Sequence, residues 1–437
     1  MKKTKFYLFI VLCLNFLHET NSQSVSNDLI ILRNVTIIDG RNNFMPNMDI
    51  LIKGSKISSL RKSENHSYAD SIQVYNLSGK FVIPGLIDSH VHLGQLGIHE
   101  SSDRTHQEFR KWLYNGVTSV REMSGDARLI AYENRLIAIG KIPGPDIYYS
   151  VNYGSPDMVK KDLRQKKQSL GTTNEKVSWF QEAYPGMDII RSIARAKGTG
   201  ATGIKIYAGV DAKVIAQLSE EAHKQGLKSW SHLTVFPDRP LDVVKANVDV
   251  VSHVWGAIWQ DPDVDPSLKV PFTHTSFQEA RNAIFPQDLS LLNADDPQVA
   301  LLYEEMIKRQ TIWDATYNIK SSEKRNLYKK FLVEASKMGV SFSTGTDIHN
   351  DPESPFPSLF DEIEALVNDG ILSEAKVIEA ATFHGALAIG IESTHGSIEE
   401  GKTANLVVLS KNPLENIENI RSVVTVFKNG KEYKKSE

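Results

Sequence analysis

The 437-residue sequence predicts an α/β protein: a (β/α)8 TIM-like barrel carrying a small β-sandwich built from both chain termini. Three observations predict it. The middle of the chain alternates strand-like and helical segments. Both ends are rich in short strands punctuated by glycine. Histidines, a lysine and an aspartate stand at the ends of several middle strands, the rim where such barrels carry their chemistry.

The strands of the N-terminal part run from Leu29 to about Val82: Leu29-Ile-Ile-Leu32, Val35-Thr-Ile-Ile38, Asp49-Ile-Leu-Ile52, Lys56-Ile-Ser-Ser-Leu60 and Ile72-Gln-Val74, with Gly40, Gly54 and Gly79 between them. The tail repeats the pattern in Ala404–Leu409 and Ser422–Phe427, followed by an Asn429-Gly430 turn. Two such ends flanking one middle combine into one sandwich, of residues 23–83 and 396–437, if the termini lie close together. Residues 84–395 are then the barrel. Its strands are read at Phe81–Ile87, Val117–Arg121, Asp146–Ser150, Gly203–Tyr207, Leu227–His232, Val248–His253, Thr311–Thr316 and Val340–Thr344. The helix between the fourth and fifth shows why: Val214, Leu218 and Ala222 share a stripe and Gly226 can stop it. The interval from His253 to Thr311 exceeds one helix, and its Asp/Pro-rich start (Asp261-Pro-Asp-Val-Asp-Pro266) reads as a long loop or lid over the strand ends.

Residues 1–22 stand apart. Lys2, Lys3 and Lys5 precede an apolar segment, Phe6 to Leu17, shorter than the roughly 20 residues a membrane helix needs. Small residues at Thr20-Asn-Ser22 suit cleavage, so the segment reads as an export signal with a mature start near Gln23, and the protein as periplasmic or secreted. An uncleaved anchor is the alternative; after cleavage no membrane span is expected. The one cysteine, Cys13, lies in this segment behind Leu12, which argues against lipid attachment there. A mature chain without thiols has no disulfide framework and no cysteine metal site, so any metal is held by nitrogen and oxygen. With 24% charged residues, a net charge of −3 and no massed basic patch, nucleic acid is not an expected partner. The expected partner is a small molecule; composition leaves open whether the chain is a homo-oligomer.

The stretch Asp88-Ser-His-Val-His92 carries the most information. It runs out of an apolar, β-branched segment, and histidines at i and i+2 point the same way along a strand. Two imidazoles at a strand end can share a divalent ion such as zinc. An isolated pair can equally be hydrogen-bonded histidines in a turn, so the other strand ends decide. These carry Lys205, His232, His253 and, after Thr344-Gly-Thr346, Asp347. Taken singly, Lys205 can snorkel, the histidines can be satisfied core residues and Asp347 can cap a turn. Taken together, so many nitrogen and oxygen donors at matching strand ends indicate a metal site of His90, His92, Lys205, His232, His253 and Asp347. An ammonium cannot ligate. A buried lysine that loses its proton can add carbon dioxide, and the carbamate can bridge two metals about 3.5–4 Å apart. An unmodified Lys205 favours one metal.

These motifs resemble the amidohydrolase superfamily, and within it the imidazolonepropionase-like and prolidase-like branch. The carriers are Pro84-Gly-Leu-Ile-Asp-Ser-His-Val-His92, Asn115-Gly-Val-Thr-Ser-Val-Arg121, Gly203-Ile-Lys-Ile-Tyr207, Val248-Asp-Val-Val-Ser-His253, Gly345-Thr-Asp347 and Gly396-Ser-Ile-Glu-Glu-Gly-Lys-Thr-Ala-Asn-Leu406, spanning roughly Leu29 to Tyr433. The resemblance implies that His90, His92 and Asp347 hold a buried metal and His232 and His253 an outer one, with carboxylated Lys205 between them. It also implies that Asp347 is the general base and then the general acid. The sequence after His232, Leu233-Thr-Val-Phe-Pro-Asp-Arg239, departs from the small residues and glycine common in the branch, and Asn405 stands where Asp is more usual.

The function read from this is an exported hydrolase that uses metal-activated hydroxide on an amide of the dipeptide or N-acyl amino acid type, with zinc as the first candidate, one or two per chain. Opening of a cyclic amide or lactone is the alternative, and a non-catalytic metal- or ligand-binding barrel is a rival of another class. Arg121 can receive a substrate carboxylate in its planar fork or anchor an internal ion pair. Tyr153, Tyr207, Trp255 and Tyr317, at or just past strand ends, can line an apolar pocket or simply pack. His274 and His349 can touch substrate or sit on surface loops.

Overall fold

The computed structural model describes residues 29–64, 67–94, 101–260, 293–318, 322–347 and 353–434. The segment read as an export signal, with Cys13, most of the interval read as a lid, His274 and His349 lie outside the described residues.

Two sheets organise the chain. The terminal sheet contains β1 (Leu29–Ile38), β2 (Phe44–Lys53), β3 (Lys56–Lys62), β4 (Gln73–Asn76) and β5 (Phe81–Pro84), joined by three strands from the tail. Those are β15 (Leu406–Leu409), β16 (Val423–Lys428) and β17 (Lys431–Tyr433). Its order is β17-β16-β15-β5-β1-β2-β3, with β4 beside β1. The N- and C-terminal parts meet at β5, parallel to β1 and antiparallel to β15. The sheet folds over itself. Tyr75 of β4 meets Phe427 of β16 edge-on, 5.6 Å between ring centres, and its hydroxyl donates to Glu432 at 2.6 Å. Leu32, Ile37, Ile50, Ile52, Val82, Leu406 and Val408 fill the space so enclosed. The Asn429-Gly430 turn has φ of +52° and +74°, the left-handed pair that a two-residue hairpin favours. Asn405 accepts the Asn429 backbone N–H through Oδ1 at 2.8 Å, so its departure from the usual Asp acts in this sheet.

The second sheet is the barrel. Its eight strands in order around the ring are β6 (Leu86–Val91), β7 (Val117–Glu122), β8 (Asp146–Gly154), β10 (Gly203–Ala208), β11 (Lys228–His232), β12 (Val250–Ser252), β13 (Ile312–Asp314) and β14 (Phe342–Ser343). Short β9 (Phe180–Glu182) hangs on β8. All neighbours are parallel. The ring closes where Ser89 N donates to Thr344 O at 2.8 Å, joining first strand to last. The run Phe81–Ile87 is not one strand: Phe81–Pro84 belongs to the terminal sheet and the barrel begins at Leu86.

The helices follow from their patterns. In Ala212–Lys224 the side chain of Asp211 accepts from Val214 N, Val214, Leu218 and Ala222 are buried, and Gly226 leaves at φ +79°. Each such fully buried apolar side chain contributes roughly 1.5–3 kcal/mol relative to exposure. Inside the barrel Trp230, Val250, Ile312 and Met123 form an apolar cluster with Ala388, whose carbonyl accepts from Trp230 Nε1 at 2.8 Å. This cluster constrains β10. A Cβ on Gly203 would lie 2.7 Å from the Trp230 ring. Gly203→Ala is therefore expected to lower stability by about 1–3 kcal/mol in denaturant unfolding, because the indole has no room to yield; an unchanged midpoint would show that it does.

Candidate metal centre

Strand parity brings the polar residues to one place. His90 lies near the end of β6 with His92 just past it, Lys205 is inside β10, His232 ends β11, and His253 and Asp347 follow β12 and β14. Their rings form a chain. Centroids are 5.2 Å apart for His90–His92, 4.9 Å for His90–His253 and 4.7 Å for His232–His253. The Asp347 carboxylate touches three of them, at 2.9 Å from His92 Nε2, 3.4 Å from His90 Nε2 and 3.5 Å from His253 Nδ1. Among the described residues, donor atoms of His90, His92 and Asp347 all lie within 4.8 Å of one another.

The electrostatics suit a divalent cation. Burial keeps His90 and His232 unprotonated and lowers His253 to about 3, so their nitrogens offer lone pairs. Burial works against the Asp347 carboxylate, but His253, His90 and the His92 hydrogen bond hold it well below the usual carboxylate range. Lys205, fully buried, is lowered to about 7 by desolvation and then by the charge of Arg121. Its Nζ donates to Ser252 Oγ at 3.1 Å. The donor set thus fits a bound metal: neutral imidazoles, an ionised carboxylate, and an amine close to the neutral form that carboxylation requires.

Three residues at the strand ends have left-handed backbones: His253 at φ +77°, Thr316 at +46° and Asp347 at +50°. Such conformations cost about 1–3 kcal/mol for residues with side chains and persist where surroundings impose them. Here His253 N bonds to Asp314 O and Asp347 N to His90 O, both at 2.9 Å. Thr316 Oγ1 lies 3.0 Å from His253 Nδ1.

The substrate-facing residues divide. Tyr207 lies beside His232, ring centres 4.3 Å apart, and its hydroxyl meets Arg164. Trp255 stacks on His253 at 5.5 Å and 13°. Both stand at the mouth. Arg121, Tyr153 and Tyr317 do not. The Arg121 fork is turned inside the barrel, Nε on Ser89 O and Nη2 on Asp314, with the guanidinium 4.9 Å from the Trp230 ring and Nη1 buried. A fully buried, paired guanidinium cannot receive a substrate carboxylate. Tyr153 lies on the opposite face of β8 from inward Asn152, and its hydroxyl accepts from Ser192. The Tyr317 hydroxyl donates to Asp369 on the outer helical layer. For these two, strand and loop direction override proximity to the strand end.

Sequence reasoning missed Asp314 at the end of β13, Asn152 beside Lys205, and the buried carboxyls of Asp88 and Glu122. Asp314 Oδ2 lies 2.6 Å from His90 Nδ1. Asn152 is the register partner of Lys205. Asp88 accepts from Thr346 Oγ1, and Glu122 accepts the Leu93 backbone N–H next to His92. An acidic or amide side chain interrupting an apolar strand was the available signal.

A closed parallel barrel with imidazoles, a carboxylate and a buried lysine on its C-terminal rim is the architecture of a metal-dependent barrel hydrolase. What the chain is similar to lies in the amidohydrolase superfamily. Residues 319–433 match the model of the Amidohydrolase family. Ochratoxinase of Aspergillus niger is 25% identical over 391 residues, 81% of this chain and 75% of that protein. Imidazolonepropionase of Flavobacterium johnsoniae is 21% identical over 379 residues, 83% and 85% of the two chains. Among solved structures, a Xaa-Pro dipeptidase shares the fold with a TM-score of 0.69 at 20% identity, over 93% of this chain and all 100% of that one.

Glu362 generates a prediction here. It is buried and accepts the backbone N–H groups of Tyr317 and Asn318 at 2.9 and 2.5 Å, anchoring the loop that carries Thr316. Burial raises its carboxyl to about 8. A carboxyl raised in the folded state stabilises fully below its unfolded value near 4.5, and that stabilisation is lost as pH rises through 8. The stability difference between wild type and Glu362→Gln should therefore shift in favour of the variant between pH 5 and 8.5; parallel pH profiles would show that Glu362 titrates normally.

Proposed function

We propose that this chain is an exported, metal-dependent hydrolase that cleaves a carbon–nitrogen amide bond of the dipeptide or N-acyl amino acid type. The observation that carries the reading is the Asp347 carboxylate set among three imidazoles at the barrel rim. The neighbour named a Xaa-Pro dipeptidase supports the dipeptide class. His90, His92 and Asp347 would hold one divalent ion, zinc first among the candidates, and His232 and His253 a second if Lys205 is carboxylated. Bound there, such an ion acidifies water and polarises a carbonyl.

The chain's own residues do the rest. Asp347, a third exposed, is the rim carboxylate open to substrate. It accepts the proton of the attacking water and returns it to the leaving nitrogen. Tyr207 and Trp255 wall the mouth and keep bulk water from the scissile bond. Because Arg121 is committed to Asp314, no carboxylate recognition runs through it, and this favours retaining the second reading, opening of a cyclic amide or lactone.

Zinc-loaded protein should turn over dipeptides or N-acyl amino acids in a panel that includes hydantoins and lactones. Turnover confined to the last two moves the reading to the alternative. In Asp347→Asn, turnover should fall about 10²–10⁴-fold while metal is largely retained; undiminished kcat rejects the acid–base role. N-terminal sequencing of protein recovered from periplasm or medium should start near Gln23, and a product that still begins at Met1 argues against export by cleavage.

A further inference from the structure

The buried polar interior of the barrel contains a carboxylate that the proposed reaction does not use. Asp314 is fully buried, and a single oxygen, Oδ2, meets three groups: His90 Nδ1 at 2.6 Å, Arg121 Nη2 at 3.0 Å and Ser252 Oγ at 3.1 Å. The other oxygen faces Gly345, where a Cβ would approach to 2.2 Å. Glycine in the Gly345-Thr-Asp347 stretch thus makes the room that Asp314 occupies. Arg121 grips the same histidine from its backbone side, through Nε on the carbonyl of Ser89 at 2.5 Å. Ser252 passes the contact on, accepting from Lys205 Nζ at 3.1 Å.

We propose that Asp314, held by Arg121, is a positioning residue that fixes His90 as the Nδ1–H tautomer and aims its Nε2 at the metal pocket. This rests on the metal reading above. A carboxylate engaged by a guanidinium can only accept from its other neighbours, so the His90 proton sits on Nδ1. Nε2 is left with its lone pair, facing Asp347 Oδ1 at 3.4 Å. Outer carboxylates of this kind orient imidazole ligands, and their loss typically weakens metal binding about 10–100-fold. Through Ser252 the same oxygen also stands one hydroxyl away from Lys205, so one carboxylate positions groups on β6 and β10 together.

The test reads the tautomer directly, by 15N histidine NMR on the metal-free full-length protein, with His90→Gln assigning the resonance. His90 should appear as Nδ1–H in the wild type and shift to Nε2–H in Asp314→Ala, with zinc affinity, by chelator competition, reduced about 10–100-fold. Asp314→Asn should lose less, because its amide oxygen can take the place of Oδ2. Should Asp314→Ala not fold, since it strands the Arg121 charge, the paired change Arg121→Met with Asp314→Leu removes both charges and should give the same tautomer shift and affinity loss. Nε2–H in the wild type, or a folded variant with undiminished zinc affinity, overturns the assignment. A wild type that binds no zinc overturns the metal reading instead, and the tautomer then judges this inference alone.

Discussion

The interior of the barrel contains a guanidinium that water does not reach, and much of the molecule is arranged around that fact. An unpaired ion at such depth costs several kcal/mol, on the order of the stability of a whole domain. Arg121 is therefore partnered by Asp314, by the carbonyl of Ser89 and by the face of Trp230, while its Nη1 finds no hydrogen-bond partner among the described residues. Each partner constrains something else. Trp230 requires Gly203 on the neighbouring strand, Asp314 requires Gly345, and Ser89 sits where the first strand closes on the last.

Above this network the strand ends carry a different balance. Burial strips His90 and His253 of protons while the imidazoles keep Asp347 ionised, so lone pairs and negative charge converge at the rim. The backbone there is strained at His253, Thr316 and Asp347. The inter-strand hydrogen bonds that hold these conformations come from the same strands that supply Asp314 and His90. Rigidity beneath and convergence above are two aspects of one arrangement.

The alternation of strands and helices was legible because parallel strands buried on both faces read as apolar runs, and because interrupting residues in those runs stand out. That is why His90, Lys205 and His232 could be singled out. Asp314 has the same signature, an acidic group closing Ile312–Asp314, but no second donor beside it in the chain marks it out. The aromatic residues show the limit from the other side. Tyr153 and Tyr207 both stand near strand ends, yet only Tyr207 shares the inward face with Lys205, and a one-residue difference in parity places a side chain in the site or against a helix.

The sequence by itself determined the barrel, the terminal sheet with its Asn429-Gly430 hairpin, and the donor types available to a cation, because each depends on local period, turn chemistry and residue identity. The tertiary structure alone decided that Arg121 faces Asp314 rather than the open mouth, that Phe81–Ile87 divides between two sheets, and that Tyr317 leaves the rim for the helical layer. Those outcomes depend on which partners meet across hundreds of residues. Contacts of that range are set by ring closure and packing, and no local pattern in the chain encodes them.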